Sequence, residues 1–184
     1  MPDRDPDEVF VRRAQRGDRL AFEILVERHA NKLYSLAARS LGSREDAEDA
    51  VQEAFIRAWR GLGSFRGGSR FSTWLYRICL NAVHDQRARR GAPAAELDLE
   101  AAADPRDRFV EHELGGDLQR ALDALEEPYR TAVLLADLLG CSYAEMSAAT
   151  DTPVGTVKSR VFRGRMELAR LLGTAPAAEE SKNR

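Results

Sequence analysis

Apolar residues along this chain recur at intervals of three and four, the period of an amphipathic helix, and no stretch shows the alternation of a strand. Phe22, Leu25, Val26, His29, Leu33 and Leu36 share one side of a helix that Asp18 is placed to cap and Gly42 to end. Ser43, followed three residues on by Asp46, resembles a capping box. It opens a helix over residues 43–60 with Ala47, Val51, Ala54, Phe55 and Ala58 in one stripe. Gly61, Gly63, Gly67 and Gly68 predict a loop. Ser72 is then expected to cap a helix with Trp74, Leu75, Ile78 and Ala82 on its inner side, running out in Arg87, Arg89 and Arg90. The helical period returns after residue 117 with Leu118, Ala121, Leu122 and Leu125, and Glu126-Glu127-Pro128 interrupts it. Further helices are predicted over 129–139, 143–149 and 154–172, with Gly140 and the turn Thr150-Asp151-Thr152-Pro153 between them.

The expected architecture is all-α, in two small helical modules. Residues 7–91 form the first and 117–173 the second. Residues 92–116 read as an acidic flexible linker, with Pro93, Pro105, Gly115 and Gly116 and one short helix near Phe109, and 174–184 as a disordered tail.

Charge sharpens this division. The 184 residues carry a net charge of only −2, but the charge is segmented. Between 92 and 117, Glu96, Asp98, Glu100, Asp104, Asp107, Glu111, Glu113 and Asp117 face only Arg106 and Arg108. Between 154 and 172, Lys158, Arg160, Arg163, Arg165 and Arg170 face only Glu167. Separate charges point to separate partners for separate parts. Charged residues make up 32% and hydrophobic ones 43%, the composition of a folded globular chain. No apolar run approaches the roughly 20 residues that span a bilayer, and the charged Met1-Pro2-Asp3-Arg4-Asp5 start has no apolar core of a secretory signal. The expected location is cytoplasmic, without membrane insertion. Cys79 and Cys141 form no C-x-x-C pair and are expected to be reduced thiols that fill core space.

Two short helices joined by a tight turn, the second one basic, form the arrangement that presents a helix to the DNA major groove. In the last helix Val157, Val161 and Leu168 can face inward, leaving Lys158, Ser159, Phe162 and Arg163 clustered outward. An exposed Phe among cations suits thymine methyls or sugars, while Lys and Arg reach guanine edges or phosphates.

Ser142-Tyr143-Ala144-Glu145-Met146, Pro153-Val154-Gly155-Thr156-Val157-Lys158-Ser159-Arg160 and Arg163-Gly164-Arg165 resemble region 4 of the extracytoplasmic-function (ECF) RNA polymerase sigma factors. The resemblance implies reading of the −35 promoter element, with Lys158, Ser159, Phe162 and Arg163 at bases and phosphates and Arg160 and Arg165 on the backbone. It departs at Ser147, Thr150 and Asp151, where the family has Ala, an aliphatic residue and Gly. Asp tolerates a left-handed turn, whereas Ser147 and Thr150 are expected to weaken the small core beneath the helices.

The first module resembles region 2 of the same family through Arg16-Gly17-Asp18, Asp46-Ala47-Glu48-Asp49-Ala50-Val51-Gln52-Glu53-Ala54-Phe55, Ala58-Trp59-Arg60, Ser64-Phe65-Arg66-Gly67 and Thr73-Trp74-Leu75-Tyr76-Arg77-Ile78. An acidic-polar patch of Asp46, Asp49, Gln52 and Glu53 suits a basic partner, which the resemblance implies is the clamp of the largest subunits of bacterial core RNA polymerase. Melted DNA exposes bases that a pocket or an aromatic face can hold. Ser64, Phe65, Arg66 and Asn81 are the candidates for that pocket at the −10 element, with Arg77 and Arg87 on phosphates. Trp59, Phe71, Trp74, Leu75 and Ile78 read as structural. The family also implies an acidic linker threading the polymerase channels, and sequestration by an anti-sigma factor.

Rival classes fare worse. His29, His84 and His112 have no neighbouring nucleophile or second ligand at metal spacing, and no phosphate-binding glycine motif is present, so neither an enzyme nor a metal or other cofactor is expected. A stand-alone helix-turn-helix regulator would leave the glycine-rich loop and the Asn81 helix without a purpose.

Overall fold

The computed structural model describes residues 5–90 and 115–174. The linker up to residue 114, the expected short helix near Phe109 and the tail from 175 lie outside the described residues. Within them are eight α-helices and no strand. No described helix is long and apolar enough to cross a membrane.

The first module comprises α1 (Glu8–Ala14), α2 (Arg19–Leu41), α3 (Arg44–Gly61), a 3₁₀ turn (Leu62–Ser64) and α4 (Phe71–Arg90). Local chemistry sets most boundaries. The Asp18 carboxylate accepts from the Ala21 N–H at 3.1 Å, Ser43 accepts from the Asp46 N–H, and Gly42 ends α2 in the left-handed region at φ 65°. Ala47, Ala50, Ala54 and Ala58 are each at most 2% exposed. These small side chains let α3 lie close to the leucines of α2 (Leu25, Leu33, Leu36) and to Leu75, Cys79 and Val83 of α4. Val51 and Phe55, expected in the stripe, are only half-buried at its margin.

The start of α4 departs from expectation. Ser72 lies inside the helix, which begins at Phe71. The Phe71 N–H donates instead to the Asp5 carboxylate at 2.7 Å, from 66 residues away. A second long-range polar contact sits in the core. His29 Nε2 meets Asp7 Oδ2 at 2.7 Å, Arg28 donates to Asp7 Oδ1 at 3.0 Å, and the Phe71 ring and the imidazole meet edge to face. Burial alone raises the pKa of Asp7, but the bonds and charges of His29 and Arg28 outweigh it and hold the carboxyl below its ordinary value.

The second module comprises α5 (Gly115–Ala124), α6 (Glu127–Val133) continuing through one wide π-type turn (Leu134–Leu138), α7 (Tyr143–Thr150) and α8 (Val154–Leu171). Gly115 and Gly116, expected in the linker, begin α5. Pro128 starts α6 rather than breaking the chain before it, because the first helical turn needs no proline N–H. Leu122, Leu125, Leu134, Leu135, Met146, Val157 and Val161 form the core. Both cysteines are free. Burial pushes the Cys79 thiol up to about 12 and the Cys141 thiol up to about 11, the condition of inert, space-filling thiols.

Candidate functional site

The helix-turn-helix is built from α7, a three-residue turn and α8. Ser142 and Glu145 form a full capping box at the start of α7. At its end Asp151 adopts φ 51°, ψ 43°, the left-handed conformation expected of the glycine it replaces. Ser147 and Thr150 do not act as expected. Ser147 Oγ donates to the Thr152 carbonyl at 2.7 Å and Thr150 Oγ1 to the Met146 carbonyl at 2.8 Å. Both hydroxyls are satisfied locally, and Ser147 braces the turn that aims α8 rather than weakening a core.

In α8, Val157 and Val161 are 3% and 1% exposed and face inward. Gly164 is buried where α8 crosses α6. A Cβ there would meet Val133 Cγ2 at 2.7 Å and the Tyr129 carbonyl at 3.0 Å. Lys158, Ser159, Phe162 and Arg163 share the exposed face, and Phe162 is 67% exposed. Lys158 Nζ lies 5.7 Å above the Tyr143 ring. Arg160 is elsewhere: half-buried, it donates to Thr152 Oγ1 at 3.2 Å and holds the turn. Arg165 donates from Nε to Asp137 at 3.1 Å, and this hydrogen bond raises its pKa. Met166, one turn after Phe162 and 48% exposed, extends the apolar stripe. Its i+4 spacing from Phe162 was the available signal.

On the first module, Ser64, Arg66, Arg77 and Asn81 are exposed. Ser64 Oγ donates to the Gly61 carbonyl at 2.7 Å. Phe65 is half-buried, its ring 5.0 Å from that of Trp74 and 6.0 Å from that of Phe71. It anchors the loop from beneath as much as it lines it. Gln15, which the sequence pattern did not single out, donates to the carbonyls of Leu62 and Phe65 at 3.0 and 2.8 Å.

The α3 patch is divided. Asp49 and Gln52 are exposed, and Glu53 accepts from Arg57 at 2.7 Å, which also donates to Asp85 at 2.7 Å. These residues line a groove between α3 and α4, with Ile56 in its wall. Asp46 is not on this patch as expected. It is 7% exposed and accepts from Gln86 Nε2 at 3.1 Å, tying α3 to α4.

Arg87 also departs from expectation. It does not face solvent but lies half-buried between the modules, donating to the Ser40 carbonyl and pairing with Glu127. Burial, with Arg130 beside it, pushes its pKa down to about 10. Arg130 donates to the same Ser40 carbonyl at 3.2 Å, and Arg39 and Gln119 bond across the junction. Elsewhere along α4 and α7, Arg70 pairs with Glu145 at 3.6 Å and Arg77 with Asp151 at 3.9 Å. Carboxylates of the second module thus face cations of the first.

Comparison with known proteins agrees with this division. Residues 25–92 match the family described as Sigma-70 region 2, and residues 115–168 match Sigma-70, region 4. The chain is 40% identical over 179 residues to the ECF RNA polymerase sigma-E factor of Escherichia coli K12, covering 90% of this chain and 93% of that protein. It is 34% identical over 186 residues to the RNA polymerase sigma-H factor of Pseudomonas aeruginosa, covering 94% and 96%. Among solved structures, CnrH in complex with the cytosolic domain of CnrY superposes with a TM-score of 0.70 at 30% identity, covering 92% of this chain and 99% of that one. The sigma factor RpoE in complex with the anti-sigma factor NepR from Bartonella quintana gives 0.66 at 27% identity, covering 84% and 98%. The region 2 match accounts for the half of the molecule that a stand-alone regulator would leave unexplained. With both helical modules matched and nearly the whole chain aligned, this protein belongs to the ECF family of RNA polymerase sigma factors.

Proposed function

We propose that the two modules divide promoter recognition, the first (residues 7–91) docking on core RNA polymerase and capturing unpaired −10 bases, the second (117–173) holding the duplex −35 element. The observation that carries this reading is Phe162, a large aromatic two-thirds exposed between Lys158 and Arg163 on the second helix of a helix-turn-helix. A solvated surface gains nothing from it, whereas a major groove offers methyls and sugars to cover it. Lys158, Ser159, Phe162 and Arg163 form the reading face. Arg160 acts by holding the turn, and Arg165, once released from Asp137, reaches phosphate from the flank.

The groove with Asp49, Gln52 and Glu53 supports docking on a basic coiled surface of the polymerase clamp. Ile56 supplies an apolar centre, and Asp46 supports the face from inside. Arg66 and Asn81, with Ser64 and Phe65, take the splayed −10 bases, and Arg77 holds phosphate. In the closed arrangement Arg77 and Arg87 are occupied by Asp151 and Glu127. Use of the half-buried Arg87 on DNA therefore requires the modules to part on the polymerase. Such a protein works in the cytoplasm, where polymerase is. The exposed apolar residues Phe162, Tyr143 and Leu138 give an anti-sigma partner a surface to cover, in keeping with the sigma–anti-sigma complex among the similar structures.

The test is a mobility-shift titration on duplex and pre-melted promoter DNA, with and without core polymerase. Tight, specific binding that needs core enzyme is expected. Tight specific binding of duplex by the chain alone would overturn the proposal in favour of an ordinary regulator.

A further inference from the structure

The glycine-rich loop has to hold its base-contacting side chains still, yet Gly67 and Gly68 give it little stiffness of its own. Its two ends are tied to one short segment. At one end Gln15 Nε2 donates to the Leu62 carbonyl at 3.0 Å and the Phe65 carbonyl at 2.8 Å, spanning the 3₁₀ turn Leu62–Ser64. At the other the Asp5 carboxylate accepts from the Phe71 N–H at 2.7 Å, where α4 begins. A carboxylate there also complements the positive end of the helix dipole.

Between these two residues runs α1, and it is anchored independently. Val11 and Ala14 are 5% and 4% exposed, and Asp7 is bonded to His29 and Arg28. Asp5 and Gln15 thus hang from opposite ends of a fixed helix. This segment precedes the residues matched to region 2.

We propose that residues 5–15 are a strap that positions the −10 reading loop, with Gln15 and Asp5 as its two positioning residues. The proposal rests on the loop being the base reader. A loop held in its binding geometry pays less ordering entropy when it takes up a base, so the strap sharpens discrimination between −10 letters. It leaves −35 reading untouched, because that surface lies in the other module. Gln15 is exposed, so its replacement costs the fold little.

The test uses the full chain on core polymerase, with a promoter selected from a randomised library. Run-off transcription is compared between the selected −10 element and single-letter changes, and separately for −35 changes. Gln15→Ala and Asp5→Ala should each lower −10 discrimination about threefold to tenfold, the scale of one or two hydrogen bonds, without changing −35 discrimination or affinity for core. Gln15→Glu should lower it further, since a carboxylate cannot donate to two carbonyls, and Gln15→Lys should restore it. Hydrogen exchange over residues 62–70 should accelerate in Gln15→Ala. Unchanged −10 discrimination in both alanine variants, while Arg66→Ala and Asn81→Ala lower it, would overturn the strap and spare the loop. Equal losses at both promoter elements would reduce the segment to a stabilising role and also overturn it. Intact discrimination in Arg66→Ala and Asn81→Ala would remove the loop reading, and the strap with it.

Discussion

The two modules solve opposite problems with the same material. The first has long helices, an alanine-faced α3 and a buried polar tie from Asp7 to His29, and of its expected base readers it exposes Ser64 and Arg66 on a loop and Asn81 on α4. The second has helices of ten, seven and eight residues and one of eighteen, a thinner core, and its proposed reading side chains on the helix itself. A loop must be held from outside, hence the polar anchors Asp5 and Gln15 that reach it from either end of α1. A helix is already rigid, so the second module needs only a fixed angle, supplied by the Ser147–Thr152–Arg160 bonds and the close approach at Gly164. Packing in one module serves to immobilise, and in the other to aim.

Substitutions that strike one module and not the other test this contrast. The largest effect is expected at Phe71, 1% exposed and in contact with His29, Phe65 and Trp74. Phe71→Ala should cost about 3–5 kcal/mol by denaturant unfolding and abolish −10 selectivity. Asp7→Ala should cost about 2–3 kcal/mol near neutral pH, because it strips a buried imidazole of its partner. The carboxyl's pKa is depressed in the folded state, so its contribution is complete above its ordinary value of 3.8 and is lost as pH falls through the lower folded value. The gap between wild type and variant should therefore close only in strong acid, and a gap that closed between pH 7 and 5 would contradict the assignment.

In the second module Gly164→Ala should cost about 1–3 kcal/mol by overpacking against Val133 and Tyr129, and should lower −35 binding through the altered aim of α8. A smaller gain is expected from Asp151→Gly, about 1 kcal/mol, from relief of a left-handed non-glycine residue. A thermal melt reads both signs. The smallest stability effect belongs to Phe162→Ala, within about 0.5 kcal/mol of wild type. The same change should lower −35 affinity roughly tenfold, the scale of a good groove contact. If it destabilised the fold, the side chain would be structural and the contrast between aiming and reading would fail.

Features set by neighbours in sequence were legible from it. Asp18, Ser43 and Gly42 act as caps within four residues of their own positions, and the helix-turn-helix places Lys158, Ser159, Phe162 and Arg163 on one face as their spacing implies. What escaped depends on partners far along the chain. Ser72 was a plausible cap until Asp5 took the role from 66 residues away. Asp46 looked like surface because it is charged, yet Gln86 draws it inward. Arg87 opens a basic run that suggested DNA, but it sits where α4 meets the second module, and Ser40 and Glu127 receive it there. Nothing periodic announces Gln15, since its acceptors are backbone carbonyls that any sequence would supply.

On this reading the two surfaces act independently on one polymerase. Run-off transcription with core enzyme over a library randomised at both elements, comparing Asn81→Ala with Lys158→Ala, tests it most directly. Asn81→Ala should relax the −10 letters alone and Lys158→Ala the −35 letters alone. Relaxation of both elements by either change, or no specific initiation by the wild-type chain with core enzyme, would contradict it.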